Sequence, residues 1–153
     1  MLGAETRTAC LNADVEGGET PLTYTAWYGR LAVTRELLKR GADVNRSSDG
    51  GESPLHYAIM RNYPRITQAL LEAGADPNAR ESERGYAPAH YAAGLGRLET
   101  LRLLLSYQME QDQPDADGVT PLMHAIQGGQ LSTVDLLLKA GADPNSDGKQ
   151  AKR

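Results

Sequence analysis

The residues that could do chemistry are few: three histidines, one cysteine and a recurring aspartate. His56 follows Pro54-Leu55, His90 follows Pro88-Ala89, and His124 stands one place later, after Pro121-Leu122-Met123. Histidines of this kind could ligate zinc or carry protons. Cys10 would need an activating neighbour to form a thiolate, and no histidine lies close to it in sequence. Asp43, Asp76 and Asp143 recur in Gly-Ala-Asp triplets, a pattern that suits backbone bonding in turns better than catalysis. The glycines form neither G-x-G-x-x-G nor G-x-x-x-x-G-K-S/T, and no serine nucleophile motif occurs. A single cysteine excludes an intramolecular disulfide framework and a Cys-rich zinc site. No enzyme, metal or cofactor is therefore expected.

What positions these residues is repetition. Four segments begin Gly18-Glu19-Thr20-Pro21-Leu22, Gly51-Glu52-Ser53-Pro54-Leu55, Gly85-Tyr86-Ala87-Pro88-Ala89 and Gly118-Val119-Thr120-Pro121-Leu122, at glycine spacings of 33, 34 and 33. Three of them end alike, in Gly41-Ala42-Asp43-Val44-Asn45, Gly74-Ala75-Asp76-Pro77-Asn78 and Gly141-Ala142-Asp143-Pro144-Asn145.

Each repeat reads as two helices. Thr20, Ser53 and Thr120 stand where an N-cap hydroxyl belongs, and Pro21, Pro54, Pro88 and Pro121 occupy the first helical position, where no N–H is needed. Ala87 lacks the hydroxyl, which predicts a weaker third start. First helices are expected over 21–28, 54–61, 88–95 and 121–127, with Ala26, Ala58, Ala92, Ala93 and Ala125 allowing close approach. Turns at Gly29, Asn62, Gly96 and Gly129 lead to second helices over 31–40, 64–73, 98–107 and 131–140. Val33/Leu37/Leu38, Ile66/Leu70/Leu71, Leu101/Leu104/Leu105 and Val134/Leu137/Leu138 give those helices apolar faces. Ser132, Thr133 and Asp135 suggest a polar capping face on the last. No repeat can bury its apolar face alone, so the core must form by stacking. Equivalent positions in stacked repeats lie about 10 Å apart, too far for two histidines to share a zinc.

The shared start, shared end and period resemble the ankyrin repeat, over about residues 12–145. The resemblance implies an all-α solenoid of helix-turn-helix units joined by hairpin-like loops, with repeats at about 18–50, 51–84, 85–117 and 118–145. Residues 1–17 read as a degenerate cap or the remnant of a preceding repeat, and 146–153 as a polar basic tail. The resemblance gives His56 and His90 a structural role, bonding neighbouring repeats together. It also implies a non-catalytic module that binds a protein or peptide through a concave groove. The positions expected to face that partner are Glu19, Asp49, Glu52, Tyr86 and Asp117 at the tips, and Trp27, Tyr28, Met60, Arg61 and Leu95 on the first helices. Tyr24, Tyr57 and Tyr91 read as packing residues rather than a ligand cage, and Trp27 has the alternative of folding back over the N-terminal face. Two other functions stay open: hydroxylation of Asn45, whose context resembles the modified ankyrin pattern, and self-association through uncapped ends.

Composition narrows the partner. The 153 residues are 24% charged with a net charge of -4, which argues against nucleic acid. Glu16, Glu19, Asp49 and Glu52 make the first tips acidic, and no Lys or Arg occurs from Leu103 to Leu138. A partner with basic and apolar anchors would complement this surface. The sequence shows neither a signal peptide nor a run of the ~20 apolar residues that would cross a bilayer, so a cytoplasmic protein is expected, with a nuclear or secreted-effector fate left open. It could belong to a larger chain or complex.

Overall fold

The computed structural model describes residues 16–147. The expected N-terminal remnant lies outside the described residues apart from Glu16 and Gly17, as do Cys10 and the tail beyond residue 147. Among the described residues the regular structure is all-helical: a 3-10 turn, Glu16–Gly18, and eight α-helices. They fall into two compact units divided between Asp76 and Pro77. In the first unit, α1 (Pro21–Tyr28) packs on α2 (Leu31–Lys39) and α3 (Pro54–Met60), while α2 and α3 both pack on α4 (Pro64–Glu72). In the second, α5 (Pro88–Gly94), α6 (Leu98–Ser106), α7 (Pro121–Gln127) and α8 (Leu131–Lys139) repeat that arrangement. Six helices stop one residue short of the expected end because that residue serves as the C-cap.

Proline opens every first helix, but the caps differ. Thr20 Oγ1 accepts from the Thr23 N–H (3.2 Å) while Thr23 Oγ1 accepts from the Thr20 N–H (2.8 Å), a reciprocal capping box. In the next two repeats histidine takes the returning role: His56 Nδ1 accepts from the Ser53 N–H (3.0 Å) and His90 Nδ1 from the Ala87 N–H (2.9 Å). The Ser53 hydroxyl turns to the His56 ring (2.9 Å). At Ala87 only the histidine half of the box is present, with no side-chain acceptor for the first-turn amides, and α5 still begins at Pro88.

Small residues let the first helices meet. Ala26, Ala58, Ala92, Ala93 and Ala125 have no exposed surface. The second helices bury less apolar surface than their pattern suggests. Ile66, Leu70, Leu71, Leu101, Leu104 and Leu137 are buried, whereas Val33 and Leu138 are exposed. Thr34, Thr67, Thr100 and Thr133, 33 residues apart, are all buried. Thr34 and Thr67 stay satisfied by donating their hydroxyls to the carbonyls four residues back, at 2.9 and 3.0 Å. Thr133 is therefore part of the core and not of a polar capping face.

The turns are tied by side chains. Asn45 donates to the Gly74 carbonyl (3.1 Å) and accepts from the Asp76 N–H (2.8 Å); Asn78 does the same with the Gln108 carbonyl (3.3 Å) and the Glu110 N–H (2.7 Å). The irregular end of the third repeat keeps this geometry: Gln108 takes a left-handed φ of 63° where other repeats have glycine, and Met109 is buried in the place of alanine.

Two substitutions test the packing. Gln108→Gly removes left-handed strain and should raise stability by about 1 kcal/mol in urea unfolding. Gly128→Ala should cost about 1–3 kcal/mol, because a Cβ there would run into the Gly94 carbonyl oxygen across the α5–α7 contact. A neutral Gly128→Ala would mean that these helices lie further apart.

Candidate functional site

In the first unit Ala26 must face the helix packing, so Tyr24, Trp27 and Tyr28 take the rest of α1. Tyr24 and Tyr28, one turn apart, bring their rings to 5.8 Å. Trp27 turns toward the following repeat rather than back over the N-terminal end. It meets Tyr57 of α3 edge-on, with centroids 5.6 Å apart, and carries the Arg61 guanidinium 4.8 Å from its ring centroid. The Tyr57 hydroxyl donates to Glu19 Oε1 at 2.6 Å. Burial, and then that bond to Glu19, push the Tyr57 phenol well above its ordinary value, so it remains a donor at neutral pH. Glu19, Tyr24, Trp27, Tyr28 and Tyr57 together line an open cavity of about 330 Å³. Tyr24, Trp27 and Tyr28 are 49%, 38% and 56% exposed. Tyr57, half-buried, packs against Trp27 as well as lining the cavity, whereas Tyr24 is exposed rather than packed.

The other expected positions differ in exposure. Asp49 is exposed, and Glu52 is half-buried with its carboxylate accepting the Ser48 hydroxyl at 2.6 Å. Met60 is half-buried. In the second unit Leu95 and Asp117 are exposed. Tyr86 is not a free tip. Its ring stacks on His90 (5.7 Å, 20°) and meets His124 edge-on (4.8 Å) and Tyr91 edge-on (5.3 Å). It covers the histidines, so its truncation would disturb the fold as well as any surface.

Two buried acids escaped the sequence reading. Asp115 accepts from the Asp117 and Val119 N–H groups, both at 2.9 Å, closing its tip. Glu81 accepts from the Glu83, Arg84 and Tyr86 N–H groups at 2.9, 2.7 and 3.2 Å. The Glu81 turn holds the one extra residue of the chain, and the longer glutamate side chain spans it. The 33-residue spacing from Ser48 to Glu81 was the available signal.

His90 and His124 correct the separation expected of stacked repeats. They are not equivalent: His124 occupies the tyrosine position and leans over, placing the ring centroids 5.1 Å apart. His90, Asp115 and His124 offer ligand atoms within 4.8 Å of one another. Hydrogen bonding nonetheless commits His90 elsewhere. The Ala87 N–H can only donate, so His90 Nδ1 is an acceptor, and Nε2 carries the proton that reaches the Val119 carbonyl at 3.1 Å. Ligation through Nε2 would need an imidazolate or a broken cap. His124 Nε2 lies 2.9 Å from Asp115 Oδ2. Burial alone would raise the Asp115 carboxyl, but hydrogen bonds from His124 and from the Val119 and Asp117 amides hold it below its ordinary value. Burial, then the neighbouring His124, push His90 down from 6.5 to about 4. The neutral ring is the native form, so its stabilisation is complete above pH 6.5 and falls away as the unfolded chain takes up the proton between pH 6.5 and 4. The shift corresponds to about 3 kcal/mol. An NMR titration should show the His90 imidazole changing near pH 4, with urea stability falling through that window; a midpoint near 6.5 would contradict its burial.

Residues 2–81 and 79–147 match the family described as ankyrin repeats (3 copies). The chain is 38% identical over 58 residues to an ankyrin repeat and KH domain-containing protein of Caenorhabditis briggsae, covering 38% of this chain and 2% of that protein. It is 38% identical over 61 residues to ankyrin repeat family A protein 2 of Mus musculus, covering 40% and 20%. It is also 43% identical over 63 residues to ankyrin repeat protein nuc-2 of Neurospora crassa, covering 40% and 6%. The matched region spans a fifth or less of each of these relatives. With its paired helices, proline-opened first helices and capping histidines matched along most of its length, the chain belongs to the ankyrin repeat family.

Proposed function

We propose that this chain is a non-catalytic interaction module that binds a protein or peptide through its first helices and turn tips. Ankyrin repeats are generally protein–protein interaction modules, and no helix among the described residues is long and apolar enough to cross a membrane. The observation that carries the reading is the exposure of large apolar side chains along the first helices of each unit, Tyr24, Trp27 and Tyr28 in the first and Leu95 in the second. Large aromatics in the open are costly to keep in water and are the residue types that dominate interface energies. Exposed Asp49 and Asp117 add negative charge at the tips, which favours a partner with Lys or Arg beside its apolar anchors. The non-catalytic reading is supported by the histidines, whose ring nitrogens serve caps and tips.

The test is affinity capture from the native host's lysate, comparing wild type with a Tyr28→Ala, Leu95→Ala variant. Both side chains are exposed, so the variant should keep its circular dichroism spectrum. A partner held through this surface should be lost, and the purified partner should bind the variant about 30-fold more weakly, the effect of a hot spot of about 2 kcal/mol. Equal retention by this variant and by an Asp49→Ala, Asp117→Ala variant would move binding to the second helices.

A further inference from the structure

We propose that the α1 cavity takes the quaternary ammonium of a trimethylated lysine in the partner peptide. The inference deepens the interaction-module reading and rests on it. Four aromatic side chains, Tyr24, Trp27, Tyr28 and Tyr57, and one carboxylate, Glu19, line the cavity. Ring faces attract cations; the Arg61 guanidinium already lies 4.8 Å from the Trp27 centroid, so an incoming cation must displace it or rest mainly on the three tyrosine rings. The remaining wall groups choose among cations. A bare ammonium brings three N–H donors and a tight hydration shell. Against it the cavity offers mainly rings and the Glu19 carboxylate, one oxygen of which already accepts the Tyr57 hydroxyl. A trimethylammonium has no N–H to satisfy, lays its methyls on the rings and keeps the charge that Glu19 complements. The cavity volume, about 330 Å³, accommodates such a head with part of its alkyl stem. Choline carries the same head group, but Glu19 of the cavity wall adjoins Gly17, whose carbonyl accepts the N–H of the exposed Asp49 at 3.0 Å, so acidic surface lies next to the cavity for a peptide to use.

Trp27 is the only tryptophan of the chain, so its fluorescence reads this cavity alone. The experiment titrates the full chain, up to about 10 mM ligand, with four probes. They are an Ala/Ser/Gly peptide with one central trimethyllysine, the same peptide with unmodified lysine, the same peptide with the uncharged tert-butyl isostere of trimethyllysine, and choline chloride. The expected result is a saturable change with the trimethyllysine peptide at a dissociation constant about tenfold below those of the other three. Glu19→Gln, which keeps a hydrogen-bond acceptor for Tyr57, should weaken that binding several-fold without affecting the uncharged peptide. Tyr24→Ala, at an exposed position, should weaken it as well, with folding checked by circular dichroism. Three results would overturn the proposal: no saturable change, equal binding of the unmodified or uncharged peptide, or choline binding as tightly as the peptide. Failure here with continued loss of partner by the Tyr28→Ala, Leu95→Ala variant would remove the cage and leave the module; loss of both would remove the module reading too.

Discussion

Alanines 26, 58, 92, 93 and 125 hold the first helices of paired repeats in contact, and everything on the surface follows from that contact. A helix of seven or eight residues is too short to be stable alone. It persists because proline presets its first turn, a side chain returns to cap its start, and a neighbour lies close enough to bury its alanine side. At Gly128 the approach leaves no room even for a methyl group. Once that face is committed, larger side chains on the same helices have one direction left. Tyr24, Trp27 and Tyr28 therefore stand together in solvent, where water would otherwise drive them inward.

The polar groups inside the fold are arranged so that each serves the backbone. His56 and His90 replace the hydroxyl or glutamate usual in a capping box, and Glu81 and Asp115 gather the amides of their turns. These groups look like catalytic material in a sequence. In the folded chain they hold backbone amides, a carbonyl and one another, so the cluster of His90, Asp115 and His124 reads as a pillar between the two tips of its unit. Asn45 is likewise bonded at both ends of its carboxamide to the following turn, so any chemistry on it would first have to release that turn.

The repeat register, the helix starts and the left-handed turns were legible in the sequence because they rest on local rules: proline at the first helical position, glycine or asparagine where φ is positive. What was not legible depended on differences between repeats. Thr34, Thr67, Thr100 and Thr133 look like surface residues, yet all four are buried, and the Thr34 and Thr67 hydroxyls fold back onto their helices. Repeat symmetry made Tyr24, Tyr57 and Tyr91 look alike. Only the first has another tyrosine one turn later and a tryptophan beside it, and with Tyr57 of the next repeat these line a cavity. His124, shifted one place, came to lie against His90 for a reason that spacing between equivalent positions could not supply. Among the expected contact residues, Tyr28, Leu95 and Asp117 lie in the open, while Tyr86 is held by the histidines beneath it.

Binding through the first helices and tips is tested most directly by hydrogen–deuterium exchange of the full chain, with and without a partner recovered from the host. Recognition of this kind predicts added protection in α1, α3, α5 or α7 and the turns that precede them, with α2, α4, α6 and α8 unchanged. Protection confined to the second helices would contradict it.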